Sequence, residues 1–435
     1  MLDIRLLRDD PDAIKAGLAR RGVDGAAVDR LIDFDVAHRA LLARQETLRQ
    51  EVKALSKAVG QAKKERDEVR ASALAEQSRA VGDEERRLNV DVEAAAEAIR
   101  SALLVTPNLP AEDCPDGESE ADNVETRRWW PGLEQGFPFP TFDEHQQVPH
   151  WEVGEALGIL DLERGAKMSG SMFPLFRGMG ARLLRALTSY ALAAHADAYE
   201  ELRPPTFVLT ETITATGHLP KFADEAYHIE RDDLWAIPTA EVPLTSMHRG
   251  EILEEAVLPL RFTASTPCFR REAGSAGRDT RGVLRVHEFD KVELVAYATP
   301  EGAKAAFDDI LTRAEALLRG LGLTYRVLDL CSGDIGASSK RTFDLEVYSP
   351  GCDRWLEVSS VSWFGDYQAR RASVRYRPAD GGSPQFVHTL NGSALAWPRI
   401  WAALIEQGRQ ADGSVELPEV LAPFLGGTTT VTPRR

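Results

Sequence analysis

The chain contains no apolar run of about 18 residues, the length a membrane-spanning helix requires, so no membrane segment is expected. Cysteine is scarce. The four present, Cys114, Cys268, Cys331 and Cys352, form no C-x-x-C pair and no compact Cys/His cluster. That spacing argues against a disulfide framework and a closed zinc site, and leaves open a zinc site assembled from distant residues. Neither a G-x-G-x-x-G fingerprint nor a Walker-type phosphate loop occurs, so a nucleotide, if one is used, is held another way. The segment MLDIRLLRDDPD carries acidic residues where a signal peptide needs an apolar core, and the cytoplasm is the expected location. Positive charge is in deficit: 52 Lys and Arg face 68 Asp and Glu, a formal net charge of −16. Such a surface repels nucleic acid as a whole, so any RNA contact must come from a local basic patch.

What the sequence does contain is a normal globular balance, with 43 % hydrophobic and 28 % charged residues. Its 435 residues exceed one ordinary core and predict two domains of unequal size. Residues 1–110 differ from the rest. Phe34, Leu41, Leu48 and Leu55 recur every seven residues, and His38, Gln45, Val52 and Val59 fall four later in each heptad. Leu74, Val81, Leu88, Ala95 and Ala102 repeat the period, with Val92 and Ile99 at the companion positions. Neither run contains proline, and residues 59–64 between them are expected to form the bend. Two long helices sharing a narrow apolar seam make an antiparallel helical hairpin, a coiled-coil arm. The seam is imperfect, since His38, Gln45, Ser78 and Glu85 take inward positions. Near the bend Lys53, Lys57, Lys63, Lys64, Arg66 and Arg70 gather among Glu65, Asp67 and Glu68. This run suits a phosphate backbone, and equally an ordinary solvated face.

Pro107, Pro110 and Pro115 break the helical pattern. Residues 111–145 read as linker and domain entry, and 146–435 as the second domain. Residues 294–298, 325–330, 343–347 and 372–376 predict short strands; 181–194, 303–318 and 393–407 predict helices. Several of these strands are separated by loops rather than helices. The expected fold is therefore α+β, an antiparallel sheet flanked by helices, and not a doubly wound parallel sheet.

The richest stretch is 266–293. Arg270, Arg271, Arg278, Arg281 and Arg285 fall within 16 residues around a Gly/Ser-rich loop, and the flanks 266–271 and 286–292 can pair as a long hairpin. Arginine's planar fork of donors suits phosphate and carboxylate. Composition alone does not separate this from a generic basic loop.

The order of residues does. FRRE at 269–272, GSAGRDTRG at 274–282 and RVHEFDKVE at 285–293 resemble motif 2 of the class II aminoacyl-tRNA synthetases, in the form found in seryl-tRNA synthetases. GARLLRAL at 180–187, running on to Arg203-Pro204-Pro205, resembles motif 1, and NGSALAWPR at 391–399 resembles motif 3. PTAEVP at 238–243 is similar to the family's serine-binding TxE loop, and EVSS at 357–360 to its ATP- and metal-contacting segment. The tail and the N-terminal hairpin also fit, so the likeness covers nearly the whole chain. Trp397-Pro398 stands where the family carries smaller residues, which leaves two places for the indole, over a nucleotide or in the core. The segment 359–364 also departs from the family's usual SSCSN.

The resemblance implies specific roles. Thr239, Ala240, Glu241, Glu293 and Ser393 would bind serine, whose ammonium and hydroxyl want polar acceptors. Arg270, Arg271, Glu272, Val286, Phe289, Glu357, Val358, Ser359, Ser360 and Arg399 would bind ATP. Arg270 and Arg399 would be catalytic, and Glu357 and Ser360 would hold Mg2+. The implied partners are tRNA(Ser), through the arm, and tRNA(Sec), with a homodimer built through motif 1. Two other readings remain at this level. Related enzymes load an amino acid on a carrier protein, but they lack the long arm and use a zinc-bound amino group. A non-catalytic RNA- or protein-binding paralogue is the other, against which stand Arg270, Glu272, Glu293, Glu357 and Arg399.

Overall fold

The computed structural model describes residues 1–273 and 281–433. They divide into two compact units, Leu2–Pro107 and Asn108 onward.

The first unit is dominated by two helices, α1 (Gly25–Lys64) and α2 (Glu68–Val105). At 40 residues, α1 is about 60 Å long. Two short helices, Ile4–Asp9 and Pro11–Ala19, precede it. Leu48, Ala62, Ala71, Val92, Ile99 and Leu103 are buried along the seam. Two of the polar inward positions find partners: Gln45 Nε2 donates to Asn89 Oδ1 at 2.8 Å, and Glu85 pairs with Arg49 at 2.9 Å. Two expectations change. Phe34 lies outside the seam at 40 % exposure, because α1 there turns Leu31 and Asp35 inward instead. Asp35 is tied by Arg8, at 2.6 Å, and by Arg39, and these guanidiniums hold its carboxyl below its ordinary value. The bend falls later than 59–64. Gly60 is carried inside α1, which costs only about 1 kcal/mol relative to alanine. The chain reverses at 65–67, where Arg66 takes φ +59° and the Asp67 side chain caps α2 by accepting from Arg70 N.

In the second unit the strands that matter are β1 (Val124–Trp129), β2 (Glu200–Glu201), β3 (Leu260–Phe269), β4 (Glu288–Ala298), β5 (Tyr325–Asp329), β6 (Arg341–Ser349), β7 (Arg354–Gly365) and β8 (His388–Ala396). They form one sheet in the order β1-β5-β6-β7-β8-β4-β3-β2. Every pair is antiparallel except β2–β3. The helices that position the site are α3 (His150–Ala156), α4 (Met179–His195), α5 (Glu241–Ser246), α6 (Ala303–Gly320), α7 (Tyr367–Ala372) and α8 (Trp397–Gln407). Residues of α4, α6 and α8 join β4, β6 and β7 in one large apolar core. Here α6 presses so close to β8 that a Cβ on Gly392 would lie 2.3 Å from Ile310.

Two predicted elements are redrawn. Residues 393–396 belong to strand β8, paired with β4, and only from Trp397 does helix α8 begin. Cross-strand pairing overrides the helical preference of Ala394 and Leu395, and Pro398 sits in the first helical turn, where its missing N–H costs nothing. Within 372–376, Ala372 ends α7, Ser373 turns at φ +55°, and the strand is Arg375–Arg377. Among the described residues no helix is long and apolar enough to cross a membrane.

Candidate active site

The hairpin predicted from 266–293 is β3 and β4. Its register pairs Phe269 with Glu288 and Thr266 with Lys291, and Arg270 N donates to His287 O at 2.9 Å. Residues 274–280 between the strands, including Arg278, lie outside the described residues. Alternation along β4 sends Val292, Leu294 and Ala296 into the large core. Phe289, Lys291 and Glu293 share the opposite parity.

A cavity of about 640 Å³ opens over β4, β7 and the junction of β8 with α8. Arg270, Glu272, Val286, Phe289, Glu357, Val358, Ser359, Ser393 and Arg399 all line it. Beneath Lys291 and Ser393 is a buried polar nest. The Glu293 side chain is wholly buried; its Oε2 accepts from Thr239 Oγ1 at 3.3 Å and from Ser393 Oγ at 3.5 Å, and is paired with Lys291 Nζ. Glu293 Oε1 is buried with no hydrogen-bond partner among the described residues. Such an oxygen is costly unless a ligand donor meets it. Thr239 Oγ1 also accepts from Glu241 N at 3.2 Å. Gln368, on α7, holds the Glu241 carboxylate by donating to Oε1 at 2.7 Å, while its own Oε1 accepts from Thr389. Burial, and then the neighbouring Glu293 carboxylate, pushes Glu241 up to about 7, against the pull of Gln368, Lys291 and Arg270. The nest combines one carboxylate oxygen unmatched among the described residues, Glu293 Oε1, with the bonded hydroxyls of Thr239 and Ser393 and two nearby cations.

At the other end, the Arg270 guanidinium lies 5.2 Å from the centre of the Phe289 ring. Glu272 adopts φ +52°, a left-handed conformation uncommon for a side-chain-bearing residue, and its carboxylate pairs with Arg285. Arg399 donates to Leu284 O at 3.2 Å and to Glu357 O at 2.7 Å, joining α8 to both the hairpin and β7. In β7 a register shift sets Ser359 opposite Leu345 and Glu357 opposite Glu346, so Val358 is the extra residue of a bulge. Ser360 does not line the cavity; its side chain bonds Asp344 on β6. Asp344 Oδ1 is buried and has no hydrogen-bond partner among the described residues, and burial with the nearby Glu357 carboxylate raises Asp344 well above the usual carboxylate range. Asp344, Glu357 and Ser360 are thus an oxygen set that a hard cation suits.

Not every expected residue reaches the cavity. Arg271 is exposed and donates to Asp224 O at 3.1 Å, and Ala240 is buried in a second apolar cluster. Trp397 is settled: it is 5 % exposed and packs edge-on against Phe176 at 4.9 Å, so the indole is core and does not crowd the cavity. Sequence reasoning missed Lys291, His218, Arg285, Gln368 and Asp344. Lys291 was recoverable, since it falls between Phe289 and Glu293 in a strict period of two. Burial, then Arg270 and Lys291, lowers His218 to about 4. His218, Gln368 and Asp344 arrive from separate segments and carry no local signal.

Comparison with known proteins agrees with this fold. Residues 1–110 match the model of the seryl-tRNA synthetase N-terminal domain, and residues 225–408 match the class II tRNA synthetase core domain (G, H, P, S and T). A serine–tRNA ligase of Herpetosiphon aurantiacus is 46 % identical over 430 residues, spanning 98 % of this chain and 99 % of its own. The crystal structure of seryl-tRNA synthetase from Pyrococcus horikoshii complexed with ATP superposes with a TM-score of 0.90 at 34 % identity, over 100 % of both chains. That of the cytoplasmic serine–tRNA ligase from Naegleria fowleri in complex with AMP gives 0.86 at 28 % identity, over 100 % of this chain and 99 % of that one. With its N-terminal hairpin, its class II core and a full-length relative at this identity, the chain belongs to the seryl-tRNA synthetase family.

Proposed function

We propose that the chain activates serine with ATP and transfers it to tRNA(Ser), and to tRNA(Sec) where one is present, in the cytoplasm. The observation that carries this reading is the buried Glu293 Oε1, unpartnered among the described residues and set near Thr239, Ser393 and Glu241 beside a cavity edged with arginine. Serine's ammonium and hydroxyl satisfy those acceptors, and alanine leaves some of them unpaired. The serine carboxylate, already ionised at neutral pH, attacks the α-phosphorus of ATP. A P–O bond forms, the bond to the bridging oxygen breaks, and pyrophosphate leaves with seryl-adenylate retained. Arg270 holds the carboxylate and α-phosphate and stabilises the charge that builds there; Arg399 takes the γ-phosphate. Glu272 meets the adenine amino group, with Phe289 beneath the ring and Val286 beside it; Val358 and Ser359 complete the wall. Arg271 holds the neighbouring loop at Asp224.

Glu357 and Ser360 would hold Mg2+, with Asp344 behind them, and the unpartnered Asp344 oxygen fits that assignment. A bound magnesium ion supplies neutralisation of triphosphate charge. In the second step a hydroxyl of the terminal adenosine attacks the acyl carbon and AMP leaves. Residues 1–110 present the hairpin to the tRNA by shape and backbone, and Lys53, Lys57, Lys63, Lys64 and Arg70 are all exposed for it. Two copies pair through the α4 region; Phe207 and Leu209, just past it, are about half exposed.

The test is serine-dependent ATP–pyrophosphate exchange with threonine, alanine and glycine as controls, followed by charging of tRNA(Ser). Exchange that does not depend on serine would sink the reading.

A further inference from the structure

Two buried titratable groups remain that the chemistry above does not use. His150 opens α3 and Glu406 lies near the end of α8; both side chains are fully buried and neither lines the cavity. His150 Nδ1 is 2.8 Å from Glu406 Oε1, and Val283 N donates to His150 Nε2 at 3.1 Å. A backbone N–H can only donate, so Nε2 is the acceptor and the ring proton sits on Nδ1, donating to the carboxylate. Glu406 also accepts from His150 N at 3.0 Å, from Gly351 N at 3.1 Å and from Ser349 Oγ. The carboxylate thereby ties α8 to α3 and to the turn between β6 and β7.

His150, Cys352 and Glu406 bring their side-chain heteroatoms within 4.8 Å of one another, and a metal site is the alternative to weigh. The bonding points elsewhere. With Nε2 occupied by Val283, the Nδ1 lone pair is replaced by a proton, and the Glu406 oxygens already meet hydrogen-bond donors. The network is a lock made of donors and acceptors.

What it locks is the segment that leads into β4 on the nucleotide side of the site. Val283 is followed by Leu284, Arg285 and Val286, all of which line the cavity. Leu284 O is the acceptor for Arg399 Nε. Arg399 and Glu406 share α8, seven residues or about two turns apart. The preceding Gly282 has φ +69°, and a Cβ there would lie 2.3 Å from His150 Nε2, so backbone and imidazole are fitted to each other. We infer that His150 and Glu406 are positioning residues for the nucleotide half of the site: through Val283 they set the path of 283–286, and they act on ATP without acting on serine. This rests on the serine-activating reading above.

The test uses the full-length chain in ATP–pyrophosphate exchange, with the wild type run first. Wild-type exchange separates the failure of that reading from the failure of this one. In H150N the amide takes the place of Nδ1, keeping the donor to Glu406 and leaving the Val283 N–H unpaired. In H150Q the amide oxygen takes the place of Nε2 and keeps the acceptor for Val283. Both lose one buried bond, and similar losses of thermal stability are expected. H150N should raise KM for ATP about tenfold or more, with KM for serine and kcat within about twofold. H150Q should stay within about threefold of wild type for ATP. Equal effects of the two on ATP, or a parallel rise in KM for serine, would overturn the proposal. If H150N does not fold, E406Q, which keeps the shape, decides: a rise in KM for ATP alone supports the lock, and an unchanged KM overturns it.

Discussion

The helical hairpin and the sheet domain solve the problem of buried polar groups in opposite ways. In the hairpin two inward polar side chains meet partners across the seam, Gln45 with Asn89 and Glu85 with Arg49. In the sheet domain some are left unmatched, with Glu293 Oε1 and Asp344 Oδ1 buried and unpartnered among the described residues. A polar pair in the seam specifies register, at some cost in stability. An unsatisfied carboxylate stores free energy that a ligand's donor can release. The first region is built to hold a form, and the second to receive something.

The largest expected effect tests the sheet side. Arg270→Ala should lower serine-dependent exchange by about 10²–10³-fold or more, because it removes a fixed cation where charge develops. Exchange retained within tenfold would move the catalytic role elsewhere in the cavity. Deleting residues 30–100 should do the reverse, leaving exchange near wild type and cutting tRNA charging at least about a hundredfold, the scale of losing several phosphate contacts. If charging survived the deletion, the two regions would not divide the work as proposed.

A smaller effect concerns protons. Glu241 is raised from an ordinary 4.5 to about 7 in the unliganded site. A raised carboxyl binds its proton more tightly folded than unfolded. Its contribution to stability is therefore present below 4.5 and lost as pH rises through about 7. Serine's ammonium prefers the ionised form, so affinity for serine should rise up to about tenfold between pH 6 and pH 8. Calorimetry in buffers of different ionisation enthalpy should register the proton released on binding. Glu241→Gln should flatten that dependence and weaken serine throughout; a pH-dependent affinity that survived the substitution would assign the proton to another group. The smallest effect lies in the hairpin. Gln45→Ala should cost about 1 kcal/mol in thermal unfolding of the hairpin and leave exchange untouched. A drop in exchange would show that the two units are not energetically separate.

The two regions also differed in how much their sequence disclosed. Hairpin contacts are local in pattern, since a heptad seam repeats in the chain as it repeats in space. Only Phe34 and the bend shifted, where Leu31 and Asp35 turned inward and the Asp67 cap outlasted Gly60. In the sheet domain the β3–β4 hairpin was legible because its two strands are neighbours in the chain. The 393–396 segment was not, because Ala394 and Leu395 favour a helix and only pairing with β4 makes them a strand.

Taken alone, the sequence determined the two-part organisation, the antiparallel α+β class, and the identity of nine of the residues lining the cavity. These depend on periodicity and on residues close together in the chain. Tertiary structure decided which groups share one space. Gln368 reaches Glu241 across 127 positions, and Val283 reaches His150 across 133. It also decided that Trp397 is core, that Arg271 turns away from the cavity, and that one Glu293 oxygen has no partner among the described residues. Whether a buried polar atom is satisfied is a property of packing from several segments at once, and no single stretch of chain contains it.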